Sequence, residues 1–125
     1  MDLGLRGKTA LVTGASSGIG LAIAHRLGSE GCTVAVCGRD AAKLEHALGS
    51  LRSAGVCCHA IRADLGDSSE VSRLARDALT ALGKVDIVVS NAGTHLQGRL
   101  EEIETERLEQ HLREKVLGPW ELARQ

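Results

Sequence analysis

Short apolar runs alternate along this chain with longer stretches in which apolar residues recur every three or four positions. Thr9–Thr13, Thr33–Cys37, Val56–Ile61 and Asp86–Ser90 read as strands. Between them, Ile19, Ala22, Ile23, Arg26 and Leu27 mark one helix face. Leu44, Leu48 and Leu51 mark a second, and Val71, Leu74, Ala75, Ala78, Leu79 and Leu82 a third. Gly31, Ala54-Gly55 and Gly83 stand where these helices should close. The strand runs are continuously apolar rather than alternating, as expected when helices cover both faces of a sheet. Strands joined by helices of this length imply crossover connections and a parallel sheet. From about Thr105 the tail reads as a further helix, with Thr105 as its cap. Pro119 falls inside that helix and cannot give an N–H to the carbonyl of Lys115, which predicts a kink. Leu112, Val116 and Trp120 share one stripe of it and need cover.

Composition narrows the picture without changing it. At 125 residues, 43% hydrophobic and 25% charged, the chain suits one soluble globular domain. Its net charge is −1 and no basic block stands out, which argues against nucleic acid as a partner. No apolar run approaches the roughly 20 residues that span a bilayer. The start, Met1-Asp2-Leu3-Gly4, lacks the pattern of a signal peptide, so the cytoplasm is the expected compartment. Cys32, Cys37, Cys57 and Cys58 form no C-x-x-C pair and are expected to be buried free thiols. The histidines show no metal-ligand spacing, so no metal site is expected.

The candidate chemistry begins where the first strand ends, at Thr13-Gly14-Ala15-Ser16-Ser17-Gly18-Ile19-Gly20. A strand, a glycine turn and a helix in that order present backbone N–H groups and a positive helix end to a phosphate. Gly14 permits the tight turn, Gly18 lets a pyrophosphate approach the backbone, and Gly20 lets helix and strand pack closely. At the tip of the second strand, Gly38-Arg39-Asp40 bears on the choice of cofactor. An acid there would bind the adenosine ribose and favour NAD, whereas an arginine would pair with a 2′-phosphate and favour NADP. Asp40 is accounted for as the N-cap of the second helix, and Asp67-Ser68-Ser69-Glu70 resembles a capping box for the third. That leaves Arg39 and Asp64 free for other work.

The G-x-x-x-G-x-G spacing resembles the short-chain dehydrogenase/reductase family, whose turn reads TGxxxGIG. Three further matches carry the resemblance: Asp64-Leu65 after the third strand, Ser90-Asn91-Ala92-Gly93 close to the family's NNAG, and Gly118-Pro119-Trp120. It covers Leu5 to Gln125, about the first half of a typical member. It implies an α/β fold, a Rossmann-like parallel sheet of order 3-2-1-4 flanked by helices and truncated after the fourth βα unit. Residues 1–125 would form a single dinucleotide-binding domain. The resemblance also implies a cofactor site built from Gly14, Ser16, Ser17, Gly18, Ile19, Gly20, Arg39, Asp64, Leu65, Asn91, Ala92 and Gly93. In it Asp64 would contact the adenine amino group, with ordinary turn chemistry as the alternative. Asn91, Ala92 and Gly93 would lie beside the cofactor ribose. The pattern G-R-D-x-x-x-L-E resembles NADP-preferring members, so NADP is expected ahead of NAD.

Catalysis is where the resemblance fails. The family acts through Asn, Ser, Tyr and Lys. Matching its N-x-x-G-P segment to Lys115-Val116-Leu117-Gly118-Pro119 places Lys115 where the Asn belongs. No residue up to Gln125 matches the Ser or the Tyr-x-x-x-Lys motif, and the sequence contains no tyrosine. No catalytic residue is therefore assigned. The expectation is the cofactor-binding part of an oxidoreductase, inactive as this chain, with hydride transfer belonging to a longer parent. The alternative is a non-catalytic nucleotide-binding or interaction protein derived from that family. Self-association is expected through an exposed sheet edge and the tail helix.

Overall fold

A computed structural model describes residues 2–92 and 99–124. Strands and helices alternate as β1 (Thr9–Thr13), α1 (Gly18–Ser29), β2 (Thr33–Gly38), α2 (Ala41–Ser53), β3 (Cys58–Arg62), α3 (Ser68–Leu82) and β4 (Ile87–Val89). A 3-10 turn at Leu100–Glu102 leads into α4 (Thr105–Leu112), a π-helical turn (Arg113–Leu117) and α5 (Gly118–Arg124). The strands form one parallel sheet in the order β3-β2-β1-β4. This is the α/β, Rossmann-like architecture that the apolar pattern and the glycine turn predict.

The core lies on both sides of that sheet because successive strand residues point to opposite faces. Leu11, Ala35 and Cys37 face α3 and α5, packing with Val71, Leu74, Ala75, Ala78 and Leu122. Val12, Val34 and Val36 face α1 and α2, packing with Ala24, Leu44, Leu48 and Leu51. Asp40 caps α2 by accepting from the Ala42 and Lys43 N–H groups. Asp67 caps α3 through the Ser69 N–H, while Glu70 pairs with Arg73.

Several expectations need correcting. The buried side of α1 runs through Gly20 and Ala24, not through Ile19, Ala22 and Arg26, which are exposed. Small residues let this helix lie close to the sheet: a Cβ on Gly28 would stand 2.5 Å from Val56. β3 starts at Cys58 rather than Val56, so Cys57 is exposed while the other three cysteines are buried. β4 is shorter than predicted, Ile87–Val89, and just before it the Asp86 carboxylate accepts from the Thr9 N–H, at 2.9 Å, and its hydroxyl. Glu104, not Thr105, occupies the N-cap position of α4, and its side chain makes no capping bond. The irregularity expected at Pro119 takes the form of the π-helical turn, in which the Gly118 N–H reaches back to the Arg113 carbonyl. Among the described residues, no helix is long and apolar enough to cross a membrane.

Candidate functional site

A cavity of about 370 Å³ opens at the carboxyl ends of the strands. Gly14, Ser16 and Ser17 line it from the turn after β1. Gly38, Arg39 and Lys43 line it from the β2–α2 junction, and Ala63, Asp64 and Leu65 from the turn after β3. Asn91 and Ala92 reach it from the exit of β4, and Glu114 from the π-helical turn. Crevices at this end of an open parallel sheet are where such folds take ligands.

Thr13 ties two of the lining segments together from behind the wall. This side chain is fully buried, its hydroxyl donates to the Val89 carbonyl, and it accepts from the Asn91 and Ala92 N–H groups at 3.1 and 3.2 Å. The Asn91 side-chain amide in turn donates to the Gly14 carbonyl at 3.0 Å. These bonds fasten the exit of β4 to the glycine turn. Gly14 has φ +63°, and a Cβ there would stand 2.7 Å from the Ala92 Cα. A Cβ on Gly20 would meet the Gly14 carbonyl oxygen and stand 2.6 Å from the Asn91 amide nitrogen. A side chain at either position would therefore displace the turn that carries the cavity wall. The Ser17 hydroxyl makes no capping bond to α1, so the first turn of that helix keeps N–H groups available to an anion.

Arg39 extends from the tip of β2 with its side chain 54% exposed, and its Nη1 lies 3.3 Å from the Glu114 carboxylate. Glu114 is buried and also accepts from the Gln110 side-chain amide at 3.3 Å. Asp64 accepts the Gly66 N–H on its Oδ1 at 2.8 Å, so turn chemistry occupies one of its oxygens. The tail braces this turn. A Cβ on Gly66 would meet the Gln110 amide, and one on Gly118 would meet the Leu65 carbonyl. Cys37 forms another part of the wall. Burial pushes its thiol up to about 12, which keeps it protonated and unreactive near neutral pH.

A family model for short chain dehydrogenases matches residues 8–125. The chain belongs to that family. It is 38% identical over 124 residues to versicolorin reductase 1 of Aspergillus parasiticus, an alignment covering 97% of this chain and 47% of that protein. The solved L-sorbose reductase of Gluconobacter frateurii, complexed with NADPH and L-sorbose, superposes with a TM-score of 0.94 at 34% identity. That match covers 99% of this chain and 48% of the other. An actinorhodin polyketide ketoreductase variant solved with NADPH superposes with a TM-score of 0.90 at 37% identity, covering 94% of this chain and 45% of the other. The chain thus spans about half the length of the family members it matches.

Of the residues that the motifs singled out, Gly14, Ser16, Ser17, Arg39, Asp64, Leu65, Asn91 and Ala92 converge on one cavity. Gly18, Ile19 and Gly20 form the first turn of α1 and are not among its lining residues, and Ile19 is exposed. Gly93 lies outside the described residues. Thr13, Lys43 and Glu114 escaped the sequence reading. Thr13 closes an apolar strand with a polar side chain, a signal that was present. Glu114 shares an i, i+4 spacing with Gly118 and Leu122, both buried, and that stripe was a signal too. Lys115 is exposed on the same turn.

Proposed function

We propose that this chain is the dinucleotide-binding half of an NADP-dependent oxidoreductase, a single domain over residues 1–125. A parent of the relatives' full length would transfer hydride between NADP(H) and a carbonyl or alcohol substrate. The observation carrying the reading is the convergence of the glycine turn, the Arg39 tip, the Asp64-Leu65 turn and the Asn91-Ala92 exit on one cavity. Gly14 and Gly20 let the turn pack against the β4 exit, and nothing stands within 4 Å of a Cβ built on Gly18, the residue whose backbone a pyrophosphate would approach in this reading. In this reading the N–H groups of residues 16–20 and the α1 N-terminus hold the pyrophosphate, with Gly18 and Ile19 at its entry. Arg39 grips the 2′-phosphate. Asp64 offers its remaining carboxylate oxygen to the adenine amino group, and Leu65 flanks the base. Asn91 and Ala92 border the ribose. The NADPH-bound states of the similar L-sorbose reductase and polyketide ketoreductase support the choice of cofactor.

The nicotinamide cofactor would supply the hydride, but the oxyanion that hydride transfer creates must be protonated as it forms. A positioned acid contributes about 10²–10⁴-fold to such a step. The sequence contains no tyrosine to match the family's acid, so the chain alone is expected to bind cofactor without turnover. Lys115, standing where the resemblance places an asparagine, favours a second reading: a non-catalytic nucleotide-binding or interaction protein. Either reading includes self-association through β4 and the tail, where Val88, Leu112, Val116 and Trp120 are exposed.

Calorimetry with NADP⁺ and NAD⁺ tests the cofactor reading. A charge-assisted arginine–phosphate contact is worth about 1.5–3 kcal/mol, or roughly one to two decades of preference. Arg39→Asp should erase or reverse it, and equal affinity of the unaltered chain for both dinucleotides would sink the assignment. NADPH consumption against ketones, aldehydes and quinones tests the rest. Turnover by the purified chain that is lost in a Gly14→Val variant would overturn the inactive reading.

A further inference from the structure

We propose that Glu114 sets how strongly this chain prefers NADP over NAD, by competing with the 2′-phosphate for Arg39. The inference rests on the reading of Arg39 as the phosphate-binding residue. Among the described residues, Glu114 is the one buried carboxylate. A buried charge requires compensating partners, and those of Glu114 include Arg39 of the cavity wall and the Gln110 amide. The Arg39 Nη1 lies 3.3 Å from its Oε1, although the two residues are 75 positions apart in sequence. A guanidinium grips a phosphate bidentately, with two parallel N–H groups of its planar fork. While Nη1 is directed at Glu114, that fork is shared between a resident carboxylate and an incoming dianion.

Charge in the same cavity acts in the same direction. Of the described lining residues, Arg39 and Lys43 are cationic and Asp64 and Glu114 anionic. A 2′-phosphate therefore enters a site whose positive charge is already offset. The ribose 2′-hydroxyl of NAD carries no charge and loses nothing to this arrangement. Glu114 weakens NADP selectively.

The experiment is isothermal titration of the chain with NADP⁺ and with NAD⁺ for E114Q, E114D, R39A and the R39A/E114Q pair. E114Q keeps the shape and removes the charge. It should raise NADP⁺ affinity about tenfold while NAD⁺ stays within about twofold, the size expected for one released charge-assisted contact. E114D, which withdraws the carboxylate by one methylene, should shift the ratio in the same direction by less. It carries the test if E114Q does not fold. In the R39A background, E114Q should leave the ratio unchanged. If R39A collapses the preference but folded E114Q and E114D leave it at the original value, Glu114 only tethers the tail and this inference falls. If R39A itself leaves the preference untouched, the phosphate role of Arg39 fails and takes the inference with it.

Discussion

β1 and β2 are drawn from the same apolar residues as β4 and the tail, yet they end in opposite environments. Leu11, Val12, Val34 and Val36 are almost entirely out of water, sealed between α1 and α2 on one face and α3 and α5 on the other. Val88 of β4 is 45% exposed, and Leu112, Val116 and Trp120 of the tail are exposed as well. The difference teaches where rigidity is placed. The glycine turn and the Arg39 tip are anchored at the ends of the sealed strands. Apolar surface still in water lies on the β4 edge and along the tail, and also at Ile19 in the first turn of α1.

The largest effect should come from cutting into the sealed side. Leu11→Ala should cost about 2–5 kcal/mol of unfolding free energy in urea, because the lost contacts leave a cavity between β1 and α3. Val88→Ala should cost less than about 1 kcal/mol, since water already reaches that side chain. Equal losses would erase the contrast between the two regions.

On the exposed side the effect should appear in association rather than in folding. A buried apolar side chain contributes about 1.5–3 kcal/mol, so replacing Val116 and Trp120 together by serine should weaken self-association at least roughly tenfold. Sedimentation velocity at micromolar concentration reads this directly. A wild-type chain that sediments as a monomer would remove the basis for it.

A smaller effect concerns the bond that starts β4 beside β1. The Thr9 N–H donated to Asp86 holds its carboxyl below the usual carboxylate value, aided by the Thr9 hydroxyl and the nearby Lys84. A depressed folded-state value means the carboxylate adds stability above its unfolded value. That contribution is lost as pH falls through the folded value. Asp86→Asn should therefore lower the melting temperature at neutral pH and flatten its decline as pH falls below the ordinary carboxylate range. An unchanged acid slope would show that Asp86 does not couple to folding.

How much of this was legible follows from how local each feature is. The glycine turn, the Asp40 and Asp67 caps and the closing glycines each depend on a few neighbouring residues, and their positions were readable in the chain. The sheet order came with the resemblance that the glycine turn and the Asn91-Ala92 segment carried. The contact face of α1 was misread because Gly20 and Ala24 add almost nothing to an apolar stripe, while the exposed Ile19 adds much. Glu114 was missed because its partner Arg39 is 75 positions away, and an acid on a predicted surface helix attracts no notice. The Asp86 bond to Thr9 is the same kind of distant contact, 77 positions apart in sequence.

Hydrogen exchange read by mass spectrometry, with and without saturating NADP⁺, tests most directly whether the cofactor site belongs to the sealed side of the fold. Without cofactor, amides of β1 and β2 should exchange slowest and those of β4 and α4 markedly faster. Adding NADP⁺ should protect segments 13–20, 38–43 and 63–66 and leave 118–124 nearly unchanged. Protection confined to the tail, or no protection at any segment under conditions where NADP⁺ binds, would contradict the account.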